Sequence, residues 1–293
     1  MRKFYFIASS LMLSAALLAG CTKVAQTEPE PTIDVNAGSD VQYGTFKVVS
    51  YNILQGMAAD KENGYANFVA WVKAQDPDVL ALQECNGFTE TSLGTLAAQW
   101  GHSHAVLNPN NSGYTVGLTS KYPISDVVRL LDEPDGNRGA IYAKINGINF
   151  VVLHLYPFGK WPQDTGAAGT GEDYRVGEIT KYLDNTIRKY PEEPSWLMMG
   201  DFNSTSPYDK AYTTGSWEYR AQNEILASGY LDLVHEAHST FQGSTQGGNR
   251  IDFIFGSKAM ASNVVSADIL KDEFTLSGVS DHYPVCTVFR IKK

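Results

Sequence analysis

Basic charge is scarce in this chain of 293 residues, where 23 lysines and arginines face 32 aspartates and glutamates. The net charge of −9 and pI of about 5.1 exclude a domain that grips nucleic acid through side-chain neutralisation of phosphates alone. Any phosphate ligand must therefore meet positive charge from another source. Cysteine is scarcer still, at three residues, too few to knit a small disulfide scaffold. No Cys/His set has zinc-ligand spacing, and no internal repeat appears at periods of about 20–50 residues. No apolar run reaches the ~20 uninterrupted residues that span a bilayer.

What is abundant points to a folded domain with a large core: 43% of residues are hydrophobic and 12% aromatic. Glycine (26) and proline (12) fit many short elements joined by tight turns, hence a mixed or β-rich class. Arg2 and Lys3 precede an apolar stretch, Phe4 to Ala19, broken only by Ser9, Ser10 and Ser14 and ending in Leu18-Ala19-Gly20-Cys21. That is the pattern of a secretory signal cut beside a cysteine, and it resembles the lipobox of bacterial lipoproteins, a plain secretory signal being the alternative. The expectation is a signal peptide over 1–20 and lipid attachment at Cys21, which would anchor the protein to a membrane in the cell envelope of a Gram-negative-type bacterium. Its loss would take the net charge to −11. Residues 21–43, polar and carrying Glu28-Pro29-Glu30-Pro31, read as a flexible tether, and residues 44–293 as one domain. Cys85 and Cys286 sit in apolar runs, where reduced, buried thiols are favoured over a bridge.

Within 44–293, strand and helix signals alternate. Phe46–Tyr51 reads as a first strand, and Tyr65, Phe68, Val69 and Val72 carry the stripe of a helix that Asp76-Pro77 stops. Val79–Leu82 is an apolar strand, and Leu93, Leu96, Ala97 and Trp100 mark a helix closed by Gly101. Asn146-Gly147 joins the strands Ala140–Ile145 and Ile148–Leu153 as an antiparallel hairpin. Val176, Ile179, Leu183, Ile187 and Tyr190 predict a third helix ended by Pro191, and strands are expected at Trp196–Met199, Arg250–Phe255 and Pro284–Ile291.

Polar residues interrupt this pattern at recurring places. Asn52, Glu84, His154, Asp201 and Asn203 end apolar strands, Asp252 lies within one, and Ser280-Asp281-His282 precedes the last. Each alone could be a turn cap or a core histidine; their shared placement points to one crevice. Ser50-Tyr51-Asn52, Leu82-Gln83-Glu84, His154-Leu155, Gly200-Asp201-Phe202-Asn203, Arg250-Ile251-Asp252 and Ser280-Asp281-His282 resemble, in order, the motifs of the endonuclease/exonuclease/phosphatase superfamily. The resemblance implies an α/β fold, a four-layer α/β/β/α sandwich of two mixed β-sheets flanked by helices, with the site at one end.

Phosphate-ester hydrolysis is among the slowest uncatalysed reactions, and accelerations up to ~10²¹ correspond to ~29 kcal/mol of barrier. One positioned base supplies only about 10²–10⁴ of that. The remainder requires alignment and charge stabilisation, and in an acidic chain a metal ion is the natural cation. Glu84 and Asn52 offer hard oxygen ligands suited to Mg²⁺ or Mn²⁺. The resemblance implies Glu84 as principal metal ligand, with Asn52 and Asp281 in or next to its shell. It implies Asp201 as the group that orients or deprotonates water, Asn203 as a holder of that water or a phosphate oxygen, and His282, supported by Asp252, as donor to a non-bridging oxygen. His154 matches a histidine of nuclease-like and sphingomyelinase-like members near the leaving group. Arg138 is either a phosphate contact or a surface arginine near a turn.

The expected activity is a Mg²⁺-dependent phosphoester hydrolase, a phosphodiesterase above all, acting as a monomer on a lipid head group, a small molecule or nucleic acid. The alternatives are a secreted nuclease and a non-catalytic binding lipoprotein, and the latter would tolerate loss of Glu84, Asp201, Asp252 or His282, all of which are present. Tyr156, Phe158 and Trp161 follow His154 closely and form either a wall for an apolar or stacking substrate or a small satellite core. Asp164–Gly171, with three glycines, reads as mobile.

Overall fold

In the computed structural model, which describes residues 42–109, 112–130, 138–161 and 169–292, successive residues of each central strand face opposite layers. Phe46 and Val48 of β1 (Tyr43–Asn52) point into one apolar cluster, whereas Val49 and Tyr51 point into another. In β7 (Ile148–His154), Phe150 and Val152 share the first cluster and Val151 and Leu153 join a third. Both faces of these strands are therefore covered, which is why they read as continuous apolar runs without polar alternation.

The remaining strands are β2 (Val79–Gln83), β3 (His104–Asn108), β4 (Val116–Ser120), β5 (Ser125–Leu130), β6 (Ala140–Ile145), β8 (Lys160–Trp161), β9 (Gly169–Thr170), β10 (Trp196–Asp201), β11 (Tyr230–Asp232), β12 (Asp252–Ser257), β13 (Val264–Ile269) and β14 (Val285–Lys292). One six-stranded sheet has the order β13-β14-β1-β2-β4-β3, the other β11-β12-β10-β7-β6-β5. Each is mixed, with one parallel pair inside antiparallel flanks: β1 beside β2, and β7 beside β10. The helices Ala66–Gln75 and Glu90–Gln99 cover the first sheet with Phe68, Val72, Leu93 and Leu96. Helices Gly171–Asn185 and Arg220–Ala227 cover the second with Ile179, Leu183, Ala221 and Ile225. The four-layer sandwich follows directly.

The described residues all belong to one compact unit, Val41–Lys293. The leader 1–20, Cys21, most of the 21–43 tether and residues 164–168 of the glycine-rich stretch lie outside the described residues, whereas the end of that stretch is regular structure, with Gly169–Thr170 in β9 and Gly171 opening a helix capped by Thr170. Among the described residues no helix is long and apolar enough to cross a membrane. Cys85 and Cys286 are buried and free. Two boundaries shift from expectation. The third helix ends at Asn185, after which Ile187 and Tyr190 still pack on the core from a turn. Strand pairing of β12 begins at Asp252, so Arg250 lies before it, its guanidinium buried between Asp209 and Asp232 at 2.6–3.0 Å.

Candidate active site

The two parallel pairs end at the same rim. In register, Asn52 stands beside Gln83 with Glu84 next in chain, and Asp201 lies between His154 of β7 and Asp252 of β12. Side chains at the carboxyl ends of parallel strands project beyond the sheet, and here both sheets deliver them to one place. Gly200 permits the close β7–β10 approach: its φ is +147°, and a Cβ there would stand 1.9 Å from the Leu153 carbonyl oxygen.

Asn52 joins the halves. Its Nδ2 donates to Asp201 Oδ2 at 3.0 Å and, more weakly, to Glu84 Oε1 at 3.4 Å, while its Oδ1 accepts from the Leu54 N–H at 3.1 Å. Glu84 is half-buried in the left-handed region (φ +59°), and its Oε2 accepts from the Gln55 N–H at 2.9 Å. Leu54, Gln55, Met57 and Asn203 are also left-handed. Such backbone strain costs on the order of 1 kcal/mol or more per residue and concentrates where side chains must be aimed.

Asp201 is buried. Its Oδ1 accepts from the Asn203 N–H at 2.9 Å, and its Oδ2 lies 3.4 Å from His154 Nε2 and 3.8 Å from His282 Nε2. Burial raises its pKa, with His282 acting in the opposite sense. His282 Nδ1 is 2.8 Å from Asp252 Oδ2, which also accepts from Ser244 Oγ at 2.7 Å. Burial opposes the charge on His282, but Asp252 and then Asp201 outweigh it, and its pKa is raised. Its Nε2 is left to face Asp201 and Asp281 Oδ1, the latter at 3.9 Å. His154 is held neutral, its pKa lowered by burial, Arg138 and His282, and its Nδ1 has no hydrogen-bond partner among the described residues.

Arg138 is 6% exposed, not a surface arginine. Its guanidinium lies over the Tyr114 ring at 4.9 Å and feels Asp201, Glu84 and Glu178, so it belongs to the cluster. Asn203 Nδ2 is tied to the Leu155 carbonyl at 3.0 Å. Asp281, with a side chain 59% exposed, stands at the mouth. All the singled-out positions from Asn52 to His282 thus converge. The aromatic loop divides: Tyr156 is core, 1% exposed, whereas Phe158 is 37% exposed; the Trp161 side chain lies outside the described residues.

Sequence reasoning missed the supports. Ser280 Oγ donates to the Asn52 carbonyl at 2.8 Å and accepts from the His282 N–H, and its place in the Ser-Asp-His motif was the available signal. Ser244 carries no such signal, lying in a turn that clamps residues 281–283 through Gln246 N–H to Asp281 O and Tyr283 N–H to Ser244 O. Glu178 is fully buried behind the site, accepting from the Tyr156 N–H at 2.9 Å, and burial lifts its pKa to about 8.

The donor set suits a divalent cation. Among the described residues, the carboxyl groups of Glu84, Asp201, Asp252 and Asp281 gather around two cationic groups, Arg138 and a protonated His282, so acidic groups outnumber basic ones in a partly buried place. Asp201, Asp252 and His282 offer ligand atoms within 4.8 Å of one another. His282 is nevertheless engaged by Asp252 and cationic, so the oxygens of Glu84 and Asp281 are the freer hard donors.

Among known proteins, the Endonuclease/Exonuclease/phosphatase family model matches residues 49–282. No curated protein matches the chain. Similar solved structures include a 3′ phosphatase from Neisseria bound to a product DNA hairpin, 21% identical with a TM-score of 0.67, covering 83% of this chain and 99% of that one. An AP endonuclease from Archaeoglobus fulgidus is 22% identical with a TM-score of 0.65 and the same coverage. An endonuclease/exonuclease/phosphatase family protein from Bacteroides thetaiotaomicron is 16% identical with a TM-score of 0.62, covering 86% of this chain and 97% of that one. At these identities the likeness shows a shared fold.

Proposed function

We propose that this chain, which belongs to the endonuclease/exonuclease/phosphatase family, hydrolyses a phosphoester, above all a diester, by in-line attack of water on phosphorus. The observation that carries the reading is the opposition of Asp201, with its raised pKa, to the cationic His282–Asp252 pair at one rim. Asp201 accepts a proton from water, and Asn203, whose N–H fixes Asp201 Oδ1, lies beside that water. His282 Nε2–H donates to a non-bridging phosphate oxygen while Asp252 holds the opposite ring nitrogen. Arg138 adds a fixed positive charge next to Asp201 and Glu84. Neutral His154 stands across from His282 on Asp201 Oδ2, placed to donate toward the leaving oxygen.

Enzymes of this family are generally divalent-metal dependent. Glu84 and Asp281, with Asn52 adjacent, would hold Mg²⁺ or Mn²⁺ here, which would supply Lewis-acid stabilisation of charge on the phosphate. The acidic chain argues for a small or lipid-linked phosphoester over long duplex nucleic acid. The leader ending before Cys21 supports a lipid-anchored protein of the cell envelope, and Cys21→Ser should release it into the soluble fraction. The deciding experiment is a panel of phosphomonoesters, phosphodiesters and duplex DNA run on the purified chain with Mg²⁺, with Mn²⁺ and with chelator. Metal-dependent turnover of a small diester supports the reading; turnover unaffected by chelator, or duplex DNA as best substrate, overturns it.

A further inference from the structure

On one flank of the sandwich, the short helix Leu233–Ala237 packs against β11 and β13, the outermost strands of the two sheets on that side, and against β12. Between this helix and the chain that follows β10 lies a pocket of about 180 Å³. Sites for drug-sized molecules span ~300–1,000 Å³, so this one is sized for a compact head group. Among the described residues, no member of the catalytic rim lines it.

Four rings in its lining form two parallel stacks. Tyr208 lies on His235 with ring centres 4.1 Å apart and 6° between their planes, and Tyr212 lies on Phe241 at 4.9 Å and 8°. Stacking covers one face of each ring and leaves an outer face, and both tyrosines are open to solvent, at 46% and 57% exposure. The face of a tyrosine ring is the negative side of its quadrupole and attracts cations. Rings already held by a neighbour lose little freedom when a ligand settles on them.

Charge at the base of the pocket has the complementary sign. Asp209 and Arg250 line it, both buried, and Asp232 grips the same guanidinium from the other side. Arg250 is the one lysine or arginine in the lining among the described residues, and a single guanidinium between two carboxylates leaves one negative charge uncompensated. All four carboxylate oxygens already accept from Arg250 at 2.6–3.0 Å, and Asp232 Oδ1 accepts from the His235 N–H as well. A cation carrying N–H donors would find those acceptors engaged. A fully methylated ammonium has no donors to satisfy, so charge and ring faces suffice to hold it.

From this arrangement we infer that the pocket binds a quaternary ammonium group, seated against the Tyr208 and Tyr212 rings above the Asp209–Arg250–Asp232 cluster. The site stands apart from the phosphoester chemistry and does not rest on that reading. Free choline-like solutes and the head groups of choline lipids share this chemistry, and the experiment below separates the two sources.

The test is saturation-transfer NMR and calorimetric titration of the full chain, neither of which needs turnover. The probes are choline, its uncharged isostere 3,3-dimethylbutan-1-ol, and ethanolamine, which keeps the charge but exchanges methyl groups for N–H donors. Choline methyl protons should receive transfer, and choline should bind about ten-fold or more tightly than the isostere and more tightly than ethanolamine. Tyr208→Ala and Tyr212→Ala, shown to be folded by unchanged melting curves, should each weaken choline several-fold, whereas Tyr212→Phe keeps the ring and should retain it. Glycerophosphocholine binding as well as choline would identify a lipid head group as the source of the ammonium, and its exclusion a free solute. No transfer to choline, equal affinity for the isostere or for ethanolamine, or choline affinity unmoved by both alanines overturns the inference. Loss of all phosphoester turnover would defeat the activity reading alone and leave the pocket to be decided by these titrations.

Discussion

His282 Nδ1 lies 2.8 Å from Asp252 Oδ2, and this contact leaves only Nε2 of the imidazole directed at the cleft. The carboxylate lifts the imidazole pKa against the opposing effect of burial, so the ring stays cationic at neutral pH. Asp252→Asn should therefore lower kcat about ten-fold or more at pH 7.5 and move the alkaline limb of the rate profile to lower pH. The sign follows from the proton: the active form is protonated, a raised pKa preserves it as pH rises, and removal of Asp252 lets it go earlier. A profile whose alkaline limb does not move would show that Asp252 has no hold on the catalytic proton.

Asp201 receives hydrogen bonds from Asn52 and from the Asn203 backbone, so the side chain is aimed before any substrate arrives. Asp201→Asn preserves shape but removes the proton acceptor, and kcat should fall by roughly 10²-fold or more with thermal stability retained. The raised pKa also predicts an acidic limb well above the ordinary aspartate range, since the working form is deprotonated. Near-normal turnover in the folded variant would remove Asp201 from the mechanism.

Glu84 is held in a left-handed conformation with one oxygen on the Gln55 N–H, an arrangement that aims its carboxylate towards the Asn52 side of the rim. Glu84→Gln keeps the side chain's shape and the bond from the Gln55 N–H, gives up the weaker one from Asn52 Nδ2, and deletes one charge. Metal affinity of oxygen sites follows ligand charge, so the metal concentration for half-maximal activity should rise about ten-fold or more. Titration of metal binding by calorimetry gives the same comparison without turnover. An unchanged affinity would place the cation elsewhere, Asp201–Asp252–His282 being the other grouping.

The central strands and the rim were legible in the sequence because burial on both faces leaves apolar runs that end abruptly in Asn52, Glu84, His154 and Asp201. β5, Ser-Asp-Val-Val-Arg-Leu, was not, because an exposed edge strand with a register shift carries no clean period. Helix Arg220–Ala227 escaped for a related reason: it buries little beyond Ala221, Gln222 and Ile225. Arg138 was ambiguous in sequence since nothing local shows that Tyr114 and Asp201 will fold against it.

Glu178 supplies a stability test that is independent of substrate and metal. It is wholly buried, its Oε1 has no hydrogen-bond partner among the described residues, and burial lifts its pKa from 4.5 to about 8 despite Tyr156, Arg138 and Arg175 acting in the opposite direction. Between those values the folded chain keeps a proton on this group that the unfolded chain releases. Stability must therefore fall as pH rises from about 4.5 towards 8, the reverse of the usual salt-bridged carboxylate. At ~1.36 kcal/mol per unit the full span amounts to at most ~5 kcal/mol, reduced to the extent that Arg138 and Arg175 relax towards the charge. Glu178→Gln stays neutral throughout, and its Oε1 can still accept the Tyr156 N–H. The variant should match the wild type near pH 5 and exceed it at pH 8, by about 2 °C or more in Tm for each kcal/mol in a chain of this size. Parallel Tm curves across that interval would mean that Glu178 is ionised in the folded chain and already compensated by the two arginines.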